Sequence, residues 1–189
     1  MHGGTRDAPY RMEALGKQHD RSGFTCGSAP LDTYLGTQAG QDTRKRVAAT
    51  FVLCEGTSHT VLGFYTLSAI SVDIGAWPEH VAKKFPRYPV VPATLLGRLA
   101  VDRQLQRSGA GAHLLMDALH RSWQASRQVA SVAVVVDAKE GGAVGFYTRY
   151  DFTPLVDPPI RLFLPMHVIE QLFSEGDTGK RRVPSREQA

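Results

Sequence analysis

Cysteine is nearly absent: Cys26 and Cys54 are the only two in 189 residues. They form neither a CxxC pair nor metal-ligand spacing, which argues against a cysteine-built metal site and a disulfide-stapled scaffold. In a reducing compartment both read as ordinary small residues. Long apolar runs are missing too, since no stretch approaches the ~18 uninterrupted apolar residues of a membrane span. The opening MHGGTRDAPYRMEALGKQHD lacks the apolar run of a secretory signal, so the expected location is the cytoplasm. Charge of one sign is not dominant. Twenty-two Lys and Arg stand against 18 Asp and Glu, a net charge of +4, which permits an acidic partner without demanding one.

What is present suits one globular domain: 42% of residues are hydrophobic, enough for a core at this length. No linker, repeat or low-complexity block interrupts residues 10–173, which are expected to form a single domain. Residues 1–9 read as a flexible lead-in. The polar, aperiodic 174–189 reads as a disordered tail.

Periodicity predicts an α/β fold with a mixed central β-sheet flanked by helices. A short strand is expected over 10–16, then a helix over 28–46, with Ser28 at the N-cap, Pro30 in the first turn and Leu31 and Leu35 on one face. VAATFVLCEG and TVLGFYTLSAISV are β-rich runs separated by GTSH, a hairpin pattern. WPEHVAKKF is a short helix ended by the prolines of PRYPVVP. ATLLGRLAV is a strand, GAHLLMDALHRSWQASR a helix, and ASVAVVVDA a strand buried on both faces. The last two strands named are therefore parallel and joined by a crossover helix. KEGGAVGFYTRY, DFTPL, PIRLFLPM and MHVIEQLF supply a short helix, two closing strands and a terminal turn or helix.

Between the ATLLGRLAV strand and its crossover helix lies Gln106-Arg107-Ser108-Gly109-Ala110-Gly111. Small residues there let consecutive backbone N–H groups point one way, and with the helix N-terminus they can hold anionic oxygens. A plain strand-to-helix turn fits the same spacing. The Walker pattern fails for want of GK[ST], and the dinucleotide fingerprint lacks its third glycine. Spacing alone therefore leaves phosphate loop and simple turn both open.

Beyond the spacing, Gln106, Gly109 and Gly111 match the [QR]-x-x-G-x-[GA] pyrophosphate loop, LGRLAVD the cofactor-holding strand, and AVGFYTRYDF the segment carrying Ala143, Phe146, Tyr147 and Phe152. In these segments the chain resembles the GNAT superfamily of acetyl-CoA-dependent N-acetyltransferases. FTCGSAPLDTYL, RYPVVPATLLGRLAVD and RLFLPMHVIEQ extend the likeness to the TacT-like toxins of bacterial toxin–antitoxin modules. The resemblance implies a GNAT fold, acetyl-CoA as co-substrate and acetylation of the α-amino group of aminoacyl-tRNA. It further implies a ribbon-helix-helix antitoxin as partner, and a homodimer. Asp151 stands where the family usually has glycine, a position that asks for left-handed backbone. Gly141 and Gly142 weaken the start of the helix carrying Tyr147 by about 1 kcal/mol each.

The resemblance assigns the cofactor to Leu99, Ala100, Val101, Gln106, Arg107, Ser108, Gly109, Ala110, Gly111, Ala112 and Phe146. It makes Tyr147 the candidate general acid, because a phenol of pKa about 10 stays protonated at neutral pH. No carboxylate is an obvious base; Asp137 and Glu140 are nearest the right strand end. An α-amino group of pKa about 8 is already substantially neutral and needs little help. Arg44, Lys83, Lys84, Arg87 and Arg98 are the candidate tRNA contacts, Arg87 and Arg98 above all. His113 and His120 share a helix side without a third ligand, so no metal is expected. Two other readings stay open: acetylation of a small amine or protein N-terminus, and a non-catalytic module that binds acetyl-CoA or nucleic acid.

Overall fold

One inserted residue decides which way the central strand faces. In the computed structural model, which describes residues 10–139 and 142–178, strand β4 (Val90–Val101) pairs antiparallel with β3 (Gly63–Asp73) along its whole length. The register slips between Thr66 and Leu67: Thr66 opposes Arg98, Leu67 opposes Leu96, and Gly97 is the extra residue. Such a bulge inverts the alternation of side chains beyond it. Before it, Ala93 packs on one face and Leu96 on the other; after it, Ala100 lies on the face of Ala93 and Leu99 on the face of Leu96.

The sheet has seven strands in the order β1-β2-β3-β4-β5-β7-β6. β1 (Tyr10–Ala14), β2 (Ala49–Glu55) and β3 form an antiparallel run at one side. β5 (Ala133–Asp137) is parallel to β4, as the crossover pattern predicts, and β7 (Arg161–Pro165) and the short β6 (Thr153–Pro154) close the other side. Pro92 is tolerated inside β4 because β5 pairs only with Thr94–Leu96, so the missing N–H disrupts no inner ladder.

Helix α4 (Ala110–Ser126) is the crossover. Its fully buried Leu114, Leu115, Ala118 and Leu119 cover Leu53, Tyr65, Leu96, Val134 and Val136. Helix α6 (Met166–Thr178) packs beside it through Ile169 and Phe173. The opposite face carries two separate caps. α1 (Ala29–Thr33) and α2 (Ala39–Lys45), joined by a π-helical turn at Tyr34–Gln38, bury Tyr34, Leu35 and Ala39 against Val52, Phe64 and Ala100. α3 (Glu79–Ala82) and Trp77 cover Val91, Ala93, Val135 and Phe163. Trp77 and Trp123 are packing residues, meeting Phe163 and Phe173.

Several boundaries move. The helix expected over 28–46 is continuous but contains the π turn. The central strand begins at Val90 rather than Ala93, because β3 is long enough to pair with it that far. Helix α6 runs to Thr178, past the 173 boundary, so residues 174–178 do not belong to a structureless tail. The lead-in 1–9 and residues 179–189 lie outside the described residues, as do Glu140 and Gly141.

Candidate active site

Beyond Leu96 and Val136, β4 and β5 part. Residues 97–101 keep β3 as neighbour on one edge and, among the described residues, have no strand on the other. Backbone N–H and C=O groups left without a strand partner at such an edge are available to an extended ligand. The segment holds Leu99, Ala100 and Val101, the residues expected to seat the cofactor's acyl end. Leu99 lines the adjoining cavity, whereas the Ala100 side chain is buried beneath α2.

The loop that follows has left-handed turns at the head of a helix. Arg107 takes φ 62 and Gly109 φ 91, with exposed Ser108 between them, and α4 starts at Ala110. Left-handed turns of this kind aim successive N–H groups to one side, next to the positive end of a 17-residue helix. At Gly111 an added Cβ would lie 3.6 Å from the Phe146 ring, which brings Phe146 of α5 (Ala143–Thr148) to the loop. Ala112 lies one residue further on, beside Gly109 in a shallow surface hollow.

Gln106, which opens the loop motif, is anchored through its side chain. Its Nε2 donates to the carbonyls of Cys26 at 2.7 Å and Val101 at 3.1 Å, so the side chain braces the loop from behind. Asp102 completes that brace. Only 2% exposed, it accepts from the N–H of Thr25 and of Gln104, both at 3.0 Å. The nearby Cys26 thiol is pushed up to about 11, by burial first and then by Asp32, which leaves it a poor nucleophile.

A cavity of about 360 Å³ opens where the strands part, lined by Leu31, Leu95–Leu99, Asp137, Lys139, Ala143 and Tyr147. Tyr147 is 8% exposed, its ring packed on Phe146 and Phe152. Burial raises its phenol above the ordinary tyrosine value. Asp151, four residues later, adopts φ 64, the left-handed conformation that its position asks for.

Asp137 shares the cavity, but Arg161 grips its carboxylate through two bonds of 2.7 and 3.1 Å. Both carboxylate oxygens are thus engaged within the protein. Of the five candidate tRNA contacts, only Arg98 reaches this cavity. Lys83 is paired with Glu79 at 2.6 Å. Lys84 lines a hollow with Trp77 and Pro165, at the far end of β5 from Asp137. Arg87 is exposed between α3 and β4, and Arg44 in the last turn of α2. The expected groove of five cations is therefore not assembled around the cavity. Lys139 carried no motif and was missed by sequence; only the topology brings it to the cavity.

The one group of potential metal ligands among the described residues is Glu13, His19 and His59. It is not arranged for a cation. His19 Nδ1 accepts from the Gly16 N–H, which puts the ring proton on Nε2, facing Glu13. Arg11 binds the same carboxylate and, with His19, holds it down at about 2.

The acetyltransferase (GNAT) domain matches residues 92–167, the span that contains the free strand edge, the loop and Tyr147. A tRNA-acetylating toxin from Mycobacterium tuberculosis (strain ATCC 25618 / H37Rv) is 37% identical over 156 residues, covering 82% of this chain and 92% of its own. The chain belongs to the GNAT acetyltransferases. This acetyltransferase is also 28% identical over 163 residues to a probable toxin TacT from Sinorhizobium fredii (strain NBRC 101917 / NGR234), covering 82% of this chain and 90% of the relative. Among solved structures it is similar to AtaT complexed with acetyl-methionyl-tRNAfMet, with TM-score 0.82 and 35% identity over 87% of this chain and 99% of that one. AtaTR bound with AcCoA gives TM-score 0.77 and 34% identity over 87% and 98%. No helix among the described residues of the acetyltransferase is long and apolar enough to cross a membrane.

Proposed function

We propose that this GNAT acetyltransferase is a toxin that acetylates the α-amino group of aminoacyl-tRNA and so blocks translation. The observation that carries it is the sharing of one cavity by Tyr147, Arg98 and the unpaired stretch of β4 that leads on to the glycine loop. The likeness to tRNA-acetylating relatives supports the acceptor.

Acetyl-CoA fits the residues present and supplies an acetyl group activated as a thioester. The N–H groups at 107–112 and the α4 N-terminus bind its diphosphate. Leu99, Ala100 and Val101 hold the acyl arm, and a backbone N–H on that edge stabilises negative charge on the reacting carbonyl oxygen. Tyr147 donates its phenolic proton to the departing sulfur. Water carries away the proton that the amine loses, because Asp137 is engaged by Arg161. A ribbon-helix-helix antitoxin is the neutralising partner, the working form is a homodimer, and the site of action is the cytoplasm, where charged tRNA is used.

Incubation with labelled acetyl-CoA and bulk charged tRNA tests this. Label is expected on the aminoacyl group, released with it by mild base. Label found only on peptides or small amines rejects the tRNA acceptor. The pH profile is a second expected outcome. Activity falls as pH drops below the amine's pKa of about 8, because the amine becomes protonated. No descending limb is expected below about pH 10, since burial raises Tyr147 above its usual value and keeps the acid protonated. Stopped assays of kcat/KM between pH 6 and 10 with puromycin, whose aminoacyl amide survives alkali, would show it; a decline above about pH 8 would assign the acid to another group.

A further inference from the structure

Two cations line the cavity from opposite sides of the strand split, Arg98 from β4 and Lys139 from just beyond β5. Arg98 is fixed in place. Its guanidinium carbon lies 3.6 Å from the centroid of the Tyr34 ring. Tyr34 in turn is 7% exposed and donates its hydroxyl proton to Asp42 Oδ2 at 3.0 Å. The bulge at Gly97 makes this stacking possible, because it turns residue 98 toward the α1–α2 cap. With one face on the ring, the guanidinium keeps its edge donors for a ligand. Lys139 is exposed and has no carboxylate partner among the described residues. The cavity's own carboxylate, Asp137, is already neutralised by Arg161.

The lining is thus positive beyond what the protein's own groups cancel. A small amine gains nothing from it, and a protonated one is repelled. An acceptor carrying an anion close to its amine is the chemistry that matches.

We propose that Arg98 and Lys139 clamp the last phosphodiester of the acceptor strand beside Tyr147, and that this clamp selects an aminoacyl polynucleotide over a free amine. It rests on the acetyl-transfer reading above. Arg98 presents a fork of donors to two phosphate oxygens, while Lys139 supplies a movable point charge.

The test uses the full chain and two acceptors with the same amine, puromycin and cytidylyl-cytidylyl-puromycin, together with charged tRNA. Wild type is expected to favour the longer analogue by about 10- to 100-fold in kcat/KM, the size of one or two charge-assisted hydrogen bonds. Arg98→Gln and Lys139→Gln each lower that preference by about fivefold or more and raise KM for charged tRNA, and Arg98→Lys recovers part of it. Each Gln variant also reduces the slope of log KM against log salt by about 0.7–0.9. Equal losses on both analogues, with an unchanged salt slope, overturn the clamp and leave Arg98 a packing residue. So does a wild-type preference near one alongside normal acetylation of charged tRNA. Wild type that acetylates none of the three acceptors removes the acetyl-transfer reading itself, and the clamp with it.

Discussion

Tyr147→Phe is expected to cut kcat by about 10²- to 10³-fold, the worth of a positioned general acid, with acetyl-CoA affinity unchanged within about twofold. The substitution removes one oxygen from a ring whose surroundings are apolar. Phe146 and Phe152 lie 5.1 and 5.3 Å from the ring centroid, and neither contact needs the hydroxyl. Among the described residues no group hydrogen-bonds that hydroxyl, so phenylalanine leaves no orphaned partner and the fold should be indifferent. The loss therefore falls on proton delivery rather than on binding. Single-turnover transfer from labelled acetyl-CoA, with calorimetric titration of the cofactor, separates the two. A loss under about fivefold would mean that solvent protonates the sulfur unaided. Weakened cofactor binding would instead make Tyr147 a wall of the site.

Most of the framework could be read from local pattern. The apolar run of β5 and the leucine spacing of α4 fixed a parallel pair with a helical crossover, because burial on two faces and on one stripe leave different periods. The loop was legible as a candidate because glycine at 109 is where left-handed backbone is needed. What stayed hidden depends on pairing between distant segments. LLGRLAV reads as an even strand, yet Gly97 is a bulge, a property of its register with Thr66 and Leu67. A Cβ there would sit 3.2 Å from Thr66 Oγ1, a contact no sequence window contains.

Which cations reach the cavity also depends on pairing and topology rather than on charge counting. Arg98 belongs to the cavity because the bulge turns it, and Lys139 because β5 ends there, whereas Lys83 and Lys84 lie in the turn after α3, at the other end of the sheet. Gln106 was legible as a motif residue, but its side-chain partners on Cys26 and Val101 were not.

Asp102→Ala should then be the most damaging change away from the cavity itself. Asp102 is the last buried residue before the loop. Its own N–H donates to the Leu62 carbonyl at 2.8 Å, and its carboxylate takes the N–H groups of Thr25 and Gln104. The neighbouring Arg103 N–H donates to the Thr25 carbonyl at 2.8 Å, so segment 24–27 is tied to the loop's root at several points. Alanine leaves two N–H groups without their charged acceptor, a net loss of about 2–4 kcal/mol given ~1.5–3 for each such bond and partial rescue by water. For a chain of this size that lowers Tm by about 5–15 °C. Because the strut shapes the loop proposed to bind diphosphate, acetyl-CoA affinity should fall at least about tenfold, the worth of one charge-assisted hydrogen bond. Asp102→Asn, which keeps one acceptor oxygen, should lie between. Differential scanning calorimetry with and without acetyl-CoA reads both effects on one sample. A lowered Tm with undiminished cofactor stabilisation would show that the turns at Arg107 and Gly109 hold the loop's shape on their own, and that the strut serves the fold alone.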